Sequence, residues 1–176
     1  MTDSIYDLQA KEALTEHVPE PVESVLLVLP SARRKKVFGR KQLASRLHAT
    51  NYLVLTPTHL RLFGLGGRTG LKVKEALGAW PRNQVRVGME TAERSSFFAS
   101  TGQTLEWRVY CLHLTGPDLD LSVDVGAEGG LFLGDEDFMA QENAEPEVQE
   151  TIDSFREEAD IAKANVDAFV LALTPA

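Results

Sequence analysis

At 176 residues, with 43% apolar and 25% charged side chains, the chain has the size and composition of one folded domain with extended ends. A lone cysteine, Cys111, excludes an internal disulfide, and no apolar run approaches the roughly 20 residues that a membrane span requires. The net charge is -8, and the polar, acidic stretch MTDSIYDLQAKEALTEH reads as neither signal nor transit peptide, so a cytoplasmic location is the expectation.

Residues 3 to 16 predict a short helix, N-capped by Asp3 or Ser4, with Ile5, Leu8 and Ala13 along one side. Pro19 and Pro21 end it, and residues 1–21 are read as a helical extension. The run Glu23-Ser-Val-Leu-Leu-Val-Leu29 is apolar through its middle, as in a strand buried on both faces, and Pro30 stops it. A basic loop follows, Arg33-Arg34-Lys35-Lys36 with Arg40 and Lys41. Val37 to Ala49 suits either a loop plus a helical turn or an irregular strand.

Residues 51 to 85 read as a meander. Leu53 and Leu55 share one strand face, a Thr56-Pro57-Thr58-His59 turn reverses the chain, and Leu60, Leu62 and Gly64 line the next face. Gly64, Gly66, Gly67 and Gly70 permit positive φ in the following reversal. Lys72 and Lys74 alternate with Leu71 and Val73 in a strand with one wet face, which bends at Trp80-Pro81-Arg82. Val85, Val87 and Met89 are expected inward, and Glu93 to Thr104 is expected to be a loop. Leu105 to Leu114 alternates, with Trp107, Val109, Cys111 and His113 on the side read as inner. After a Thr115-to-Asp118 turn, Leu119, Leu121, Val123 and Val125 alternate with Asp120, Ser122 and Asp124, which completes a hairpin. Gly126 to Pro146 is a long acidic connector with an apolar island at Leu131-Phe132-Leu133. Val148, Ile152, Phe155, Ala159, Ala162, Val166, Phe169 or Val170, and Leu173 then recur at helical spacing. The predicted class is therefore mostly β with a C-terminal helix.

Charge is segregated along the chain. From Arg33 to Arg86 there are thirteen Lys/Arg against one acid, Glu75, a balance of +12; from Glu128 to Asp160 there are twelve Asp/Glu against Arg156 alone, a balance of -11. Such asymmetry predicts that the two segments face each other, within one chain or between subunits, unless both are simply solvated.

The meander carries a family resemblance. A strand ending Leu55-Thr56, a turn with His59, a strand Arg61-Leu62-Phe63, a Gly/Lys-rich reversal from Gly64 to Lys74 and a bend at Trp80-Pro81-Arg82 before Val85 resemble the bacterial pleckstrin-homology-like domains, including the GRAM-related group. The resemblance spans residues 22–174 and implies a seven-stranded β-sandwich or barrel capped by the terminal helix; the long acidic connector at 126–146 departs from that plan. Members of that family bind phosphoinositides, proteins or each other, so the fold alone does not carry the function.

Chemical motifs are sparse. Gly64-Leu-Gly-Gly-Arg-Thr-Gly70 is not a phosphate loop, because no helix pattern follows to present its N-terminus. His17, His48, His59 and His113 are scattered without metal-ligand spacing, and Asp135-Glu136-Asp137 lacks the spacing of a calcium loop. Cys111 lies mid-strand among apolar neighbours, where a thiol is usually inert. No cofactor or metal motif is present, and nothing pairs a nucleophile with a base. The expected function is a non-catalytic interaction module acting through a protein partner or self-association. The alternative is anionic lipid head-group binding through Arg33, Arg34, Lys35, Lys36, Arg40 and Lys41, since the resemblance places that loop between the first two strands. Nucleic acid is not expected, because the basic stretch lacks interleaved aromatics. An enzyme would require two or more of His48, His59, His113 and Cys111 to converge on one cavity.

Overall fold

The computed structural model describes residues 5–31, 43–68, 71–98, 102–125 and 146–174. The elements run α1 (Ile5–Leu14), β1 (Ser24–Pro30), a 3-10 turn (Leu43–Ser45), β2 (Asn51–Leu55), β3 (His59–Gly66), β4 (Lys72–Pro81), a second 3-10 turn (Arg82–Gln84), β5 (Arg86–Phe98), β6 (Gln103–Gly116), β7 (Leu119–Val125) and α2 (Pro146–Leu173). The strands form one antiparallel sheet in the order β4-β3-β2-β1-β7-β6-β5. Its two halves meet at a narrow seam of three pairs, Val28↔Val125, Leu29↔Asp124 and Pro30↔Val123. β4 and β5 are consecutive in the chain yet lie at opposite ends of this order, so the sheet is open between them.

One face of both halves surrounds a single core. Leu26 and Val28 of β1, Leu53 and Leu55 of β2, Leu60 and Leu62 of β3, Leu112 and Leu114 of β6, and the alternating residues of β7 all contribute to it. Helix α2 inserts Val166, Phe169 and Leu173 into the same cluster. Phe169 is completely buried, and truncating such a side chain to Ala costs about 3–5 kcal/mol. The last members of the helical spacing read from the sequence, Val166, Phe169 and Leu173, thus close the core.

A second cluster lies on the opposite face of the first half. Ala10 and Leu14 of α1, with Val18, pack on Val25, Tyr52, Val54, Phe63 and Leu65. This explains why β2 is buried at all five positions and why β1 reads as apolar on both faces. The buried face of α1 passes through Leu14 rather than Ala13, which is exposed. Ala10 and Leu14, four residues apart, lie on one side of the helix, and the sheet on which they dock selects that face.

Other expectations need correction. Residues 93–98 and 103–104 are strand, since the β5–β6 register runs unbroken from Arg86↔Thr115 to Phe98↔Gln103. Polar Ser95 and Ser96 hide that strand in the sequence, and a cross-strand partner at every position supplies the pairing that propensity does not. Val109, Cys111 and His113 face away from the main core, which takes Tyr110, Leu112 and Leu114 instead. Met89 shares the face of Val87 but is 40% exposed, because β5 is an end strand. The Thr56–His59 turn forms as expected, closed by Thr56 N–H donating to the His59 carbonyl at 2.9 Å. Gly67 takes φ 87° in the β3–β4 reversal, where a residue without Cβ is required. No helix among the described residues is long and apolar enough to cross a membrane.

Candidate functional site

The basic residues Arg33, Arg34, Lys35, Lys36, Arg40 and Lys41 lie outside the described residues, as does the connector from 126 to 145. The residues that flank this basic sequence are described. Ser31 is buried at the end of β1, and Leu43, Ala44 and Leu47 pack on the main core before β2. The latter segment is clamped by His48 and Asn51. The buried Asn51 side chain accepts from His48 N–H at 3.0 Å and donates to the His48 carbonyl at 2.9 Å. The His48 ring lies over Gly64, with a ring carbon only 2.6 Å from where a Cβ would stand. Its Nδ1–H donates to the Leu65 carbonyl at 2.7 Å, and Nε2 meets the Glu75 carboxylate at 2.8 Å. Both partners can only accept, so the doubly protonated ring is favoured and the His48 pKa is raised, chiefly by Glu75.

A second polar knot ties the segment after α1 to the β2–β3 turn. Glu20 accepts from the Thr56 and Thr58 hydroxyls and from Arg61 Nη2 at 3.2 Å. These donors, Thr56 first, hold its carboxyl down to about 2. His59 Nδ1 bonds the Thr58 hydroxyl at 2.6 Å and is thereby fixed at the turn. Arg61 Nε is buried beside this knot with no partner among the described residues, and nothing in the structure explains it.

The richest constellation lies on the outer face of β5, β6 and β7. The pairing register sets Glu90, Cys111 and Asp124 side by side across the three strands, and Gly88, His113 and Ser122 in the next row but one. Asp124 is buried and receives a two-pronged bond from Arg94, with Nε and Nη2 each at 2.7 Å. Removing one partner of so shielded a pair costs about 3–5 kcal/mol. The pair raises the Arg94 pKa, and Arg94 Nη2 also donates to the Ser31 hydroxyl at 3.3 Å. Cys111 is fully buried, with its sulfur 3.8 Å from the same hydroxyl. Burial, above all, pushes its thiol pKa up, which opposes thiolate chemistry in this state. His113 Nδ1 bonds the Ser122 hydroxyl at 2.8 Å, while Nε2 faces a Glu90 oxygen at 3.1 Å. The donor atoms of Glu90, Cys111 and His113 all lie within 4.8 Å of one another, so these three residues could hold a metal ion.

Of the groups singled out from the sequence, Cys111 and His113 therefore converge, on a sheet face rather than in the main core. His48 and His59 are engaged on the β1–β4 half, in separate hydrogen-bond sets. Sequence reasoning missed Glu90, Arg94 and Asp124. The Cys-x-His spacing in an alternating strand was a visible signal for two of the cluster, but Glu90 joins them only through cross-strand register. Comparison with family models, curated proteins and solved structures finds no match.

Proposed function

We propose that the chain is a non-catalytic interaction module on the pleckstrin-homology-like plan, making contact with a second polypeptide along the outer flank of β5. Seven antiparallel strands followed by one core-filling helix support this plan, as does the basic sequence that lies between β1 and β2 in the chain. The engagement of His48 and His59 in local hydrogen bonds, and the burial of Cys111, support a binding role over catalysis.

The observation that carries the reading is the contrast between the two ends of the sheet. β4 has register shifts against β3, lysines at 72 and 74, and Pro81, all devices that discourage edge pairing. β5 offers thirteen residues in unbroken register with β6, and no described strand pairs with its other flank. An extended peptide, or the same strand of a second copy, can add there through backbone hydrogen bonds. A second copy is the partner testable directly. Sedimentation and amide exchange are measured from about 10 μM to about 1 mM protein, and alternate β5 amides are expected to gain protection as the mass rises. A rising mass with unchanged β5 amides would place the contact elsewhere. A constant mass would remove self-association through this edge.

A further inference from the structure

We propose that Glu90, Cys111 and His113 form a binding site for a zinc-class divalent metal ion on the outer face of β5 and β6. Cys111 and His113 stand two residues apart on β6 and so project from the same face. Glu90 is the direct cross-strand neighbour of Cys111 and occupies that face of β5. Two donors from one strand and a third from its neighbour enclose one point above the sheet.

The distances suit a small ion. The His113 Nε2 and Glu90 carboxylate are 3.1 Å apart, and all three donor atoms fall within 4.8 Å. Tetrahedral zinc, with bonds of about 2.0–2.3 Å, sets neighbouring nitrogen and oxygen donors about 3.4 Å apart. Only small side-chain shifts are therefore needed to admit the ion. Gly88, the cross-strand neighbour of His113, presents no side chain beside the ring.

The orientation of the imidazole is fixed from behind. Its Nδ1 is bonded to the Ser122 hydroxyl, which leaves Nε2 as the nitrogen turned towards Glu90. Ligating histidines are commonly held in this way through their second nitrogen. Asp124 is not a competing ligand, because Arg94 holds both its oxygens. The donor set selects the metal class: a thiolate with an imidazole favours zinc or cobalt, whereas calcium and magnesium demand oxygen ligands. Cys111 forms the floor of the site, while the His113 and Glu90 side chains are 35% and 40% exposed. A fourth position thus faces solvent and would take water. Binding forms a metal–sulfur bond and releases the thiol proton to solvent.

The test uses the full chain, first stripped of metal by chelation, with zinc and cobalt salts as the probes. Calorimetry is expected to show one equivalent of zinc. The cobalt form is expected to show sulfur-to-cobalt charge-transfer absorption that Cys111→Ser abolishes. Glu90→Gln and His113→Asn, both at partly exposed positions, should each weaken zinc binding by about tenfold or more. His48→Gln, on the other half of the sheet, should leave it unchanged. Circular dichroism on each variant separates lost ligation from lost fold. An absence of zinc binding by the folded wild type would overturn the proposal. So would a cobalt spectrum without the sulfur band, or binding unaffected by both Glu90→Gln and His113→Asn.

Discussion

Replacing Arg82 by Met should loosen the junction at which the two ends of the sheet meet the terminal helix. Arg82 begins the 3-10 turn between β4 and β5, and its Nε and Nη2 donate to the Ala172 carbonyl at 3.2 and 2.8 Å. Ala172 lies in the last turn of α2, where carbonyls lack partners within the helix and carry the negative end of its dipole. Nη1 adds the Glu23 carboxylate at 2.7 Å and the Thr56 carbonyl at 3.3 Å. A hydrogen bond from a charged donor contributes about 1.5–3 kcal/mol, and the dipole about 0.3–1 more. Glu23 is 42% exposed, so its ion pair contributes only about 0–1 kcal/mol. Allowing for overlap among these contacts and the partial exposure of Arg82, the expected loss for Arg82→Met is about 2–3 kcal/mol. In a chain of this size that lowers Tm by about 5–10 °C. Arg82→Lys keeps the charge but loses the planar fork, and should cost about half as much. Urea denaturation and calorimetry measure these values, with Glu23→Gln as the control at under about 1 kcal/mol. An Arg82→Met variant within about 0.5 kcal/mol of wild type, or a Glu23→Gln variant that costs as much, would show that the Ala172 carbonyl contact is not what stabilises the junction.

Three further outcomes are expected. Glu20 has a folded pKa of about 2 against an ordinary 4.5, so the stability it contributes is complete above 4.5 and lost as pH falls through about 2. The Tm gap between wild type and Glu20→Gln should narrow over that window, and a gap independent of pH would refute the assignment. His48 has its pKa raised above 6.5, so its contribution is full below 6.5 and lost as pH rises through the folded value. NMR titration should find His48 ionising above 6.5, a value at or below it counting against the clamp, and Gly64→Ala should displace the ring and destabilise the 43–50 segment. Finally, liposome co-sedimentation tests the head-group reading: replacing Arg33 to Lys36 by Ala should reduce binding to anionic vesicles, more visibly at about 50 mM than about 500 mM salt. Wild-type binding that ignores anionic lipid content would exclude that role.

The β7 strand of the Leu105–Val125 hairpin was legible because its apolar residues alternate with polar ones, whereas β6 is buried on both faces from Val109 to Leu112. Leu119, Leu121, Val123 and Val125 needed no neighbour to reveal their common face, and Val166, Phe169 and Leu173 did the same at helical period. Local chemistry also marked the Thr56–His59 turn and the bend at Pro81-Arg82. The ends of β5 and β6 were not legible, since Ser95 and Ser96 become strand only by pairing with Glu106 and Leu105. Nor could alternation say which of two faces is the main core: His113 and Cys111 read as inner, whereas the sheet sets them on the opposite face, where Cys111 is buried with Ala92 and Val109. The outer cluster shows the limit most directly. Glu90 and Cys111 are 21 residues apart, and Arg94 and Asp124 are 30 apart; each pair meets through strand register and side-chain reach. Local periodicity records which face a residue takes relative to its neighbours. Contacts between distant segments depend on how the whole sheet is ordered and folded over its core, and only the tertiary structure decides that.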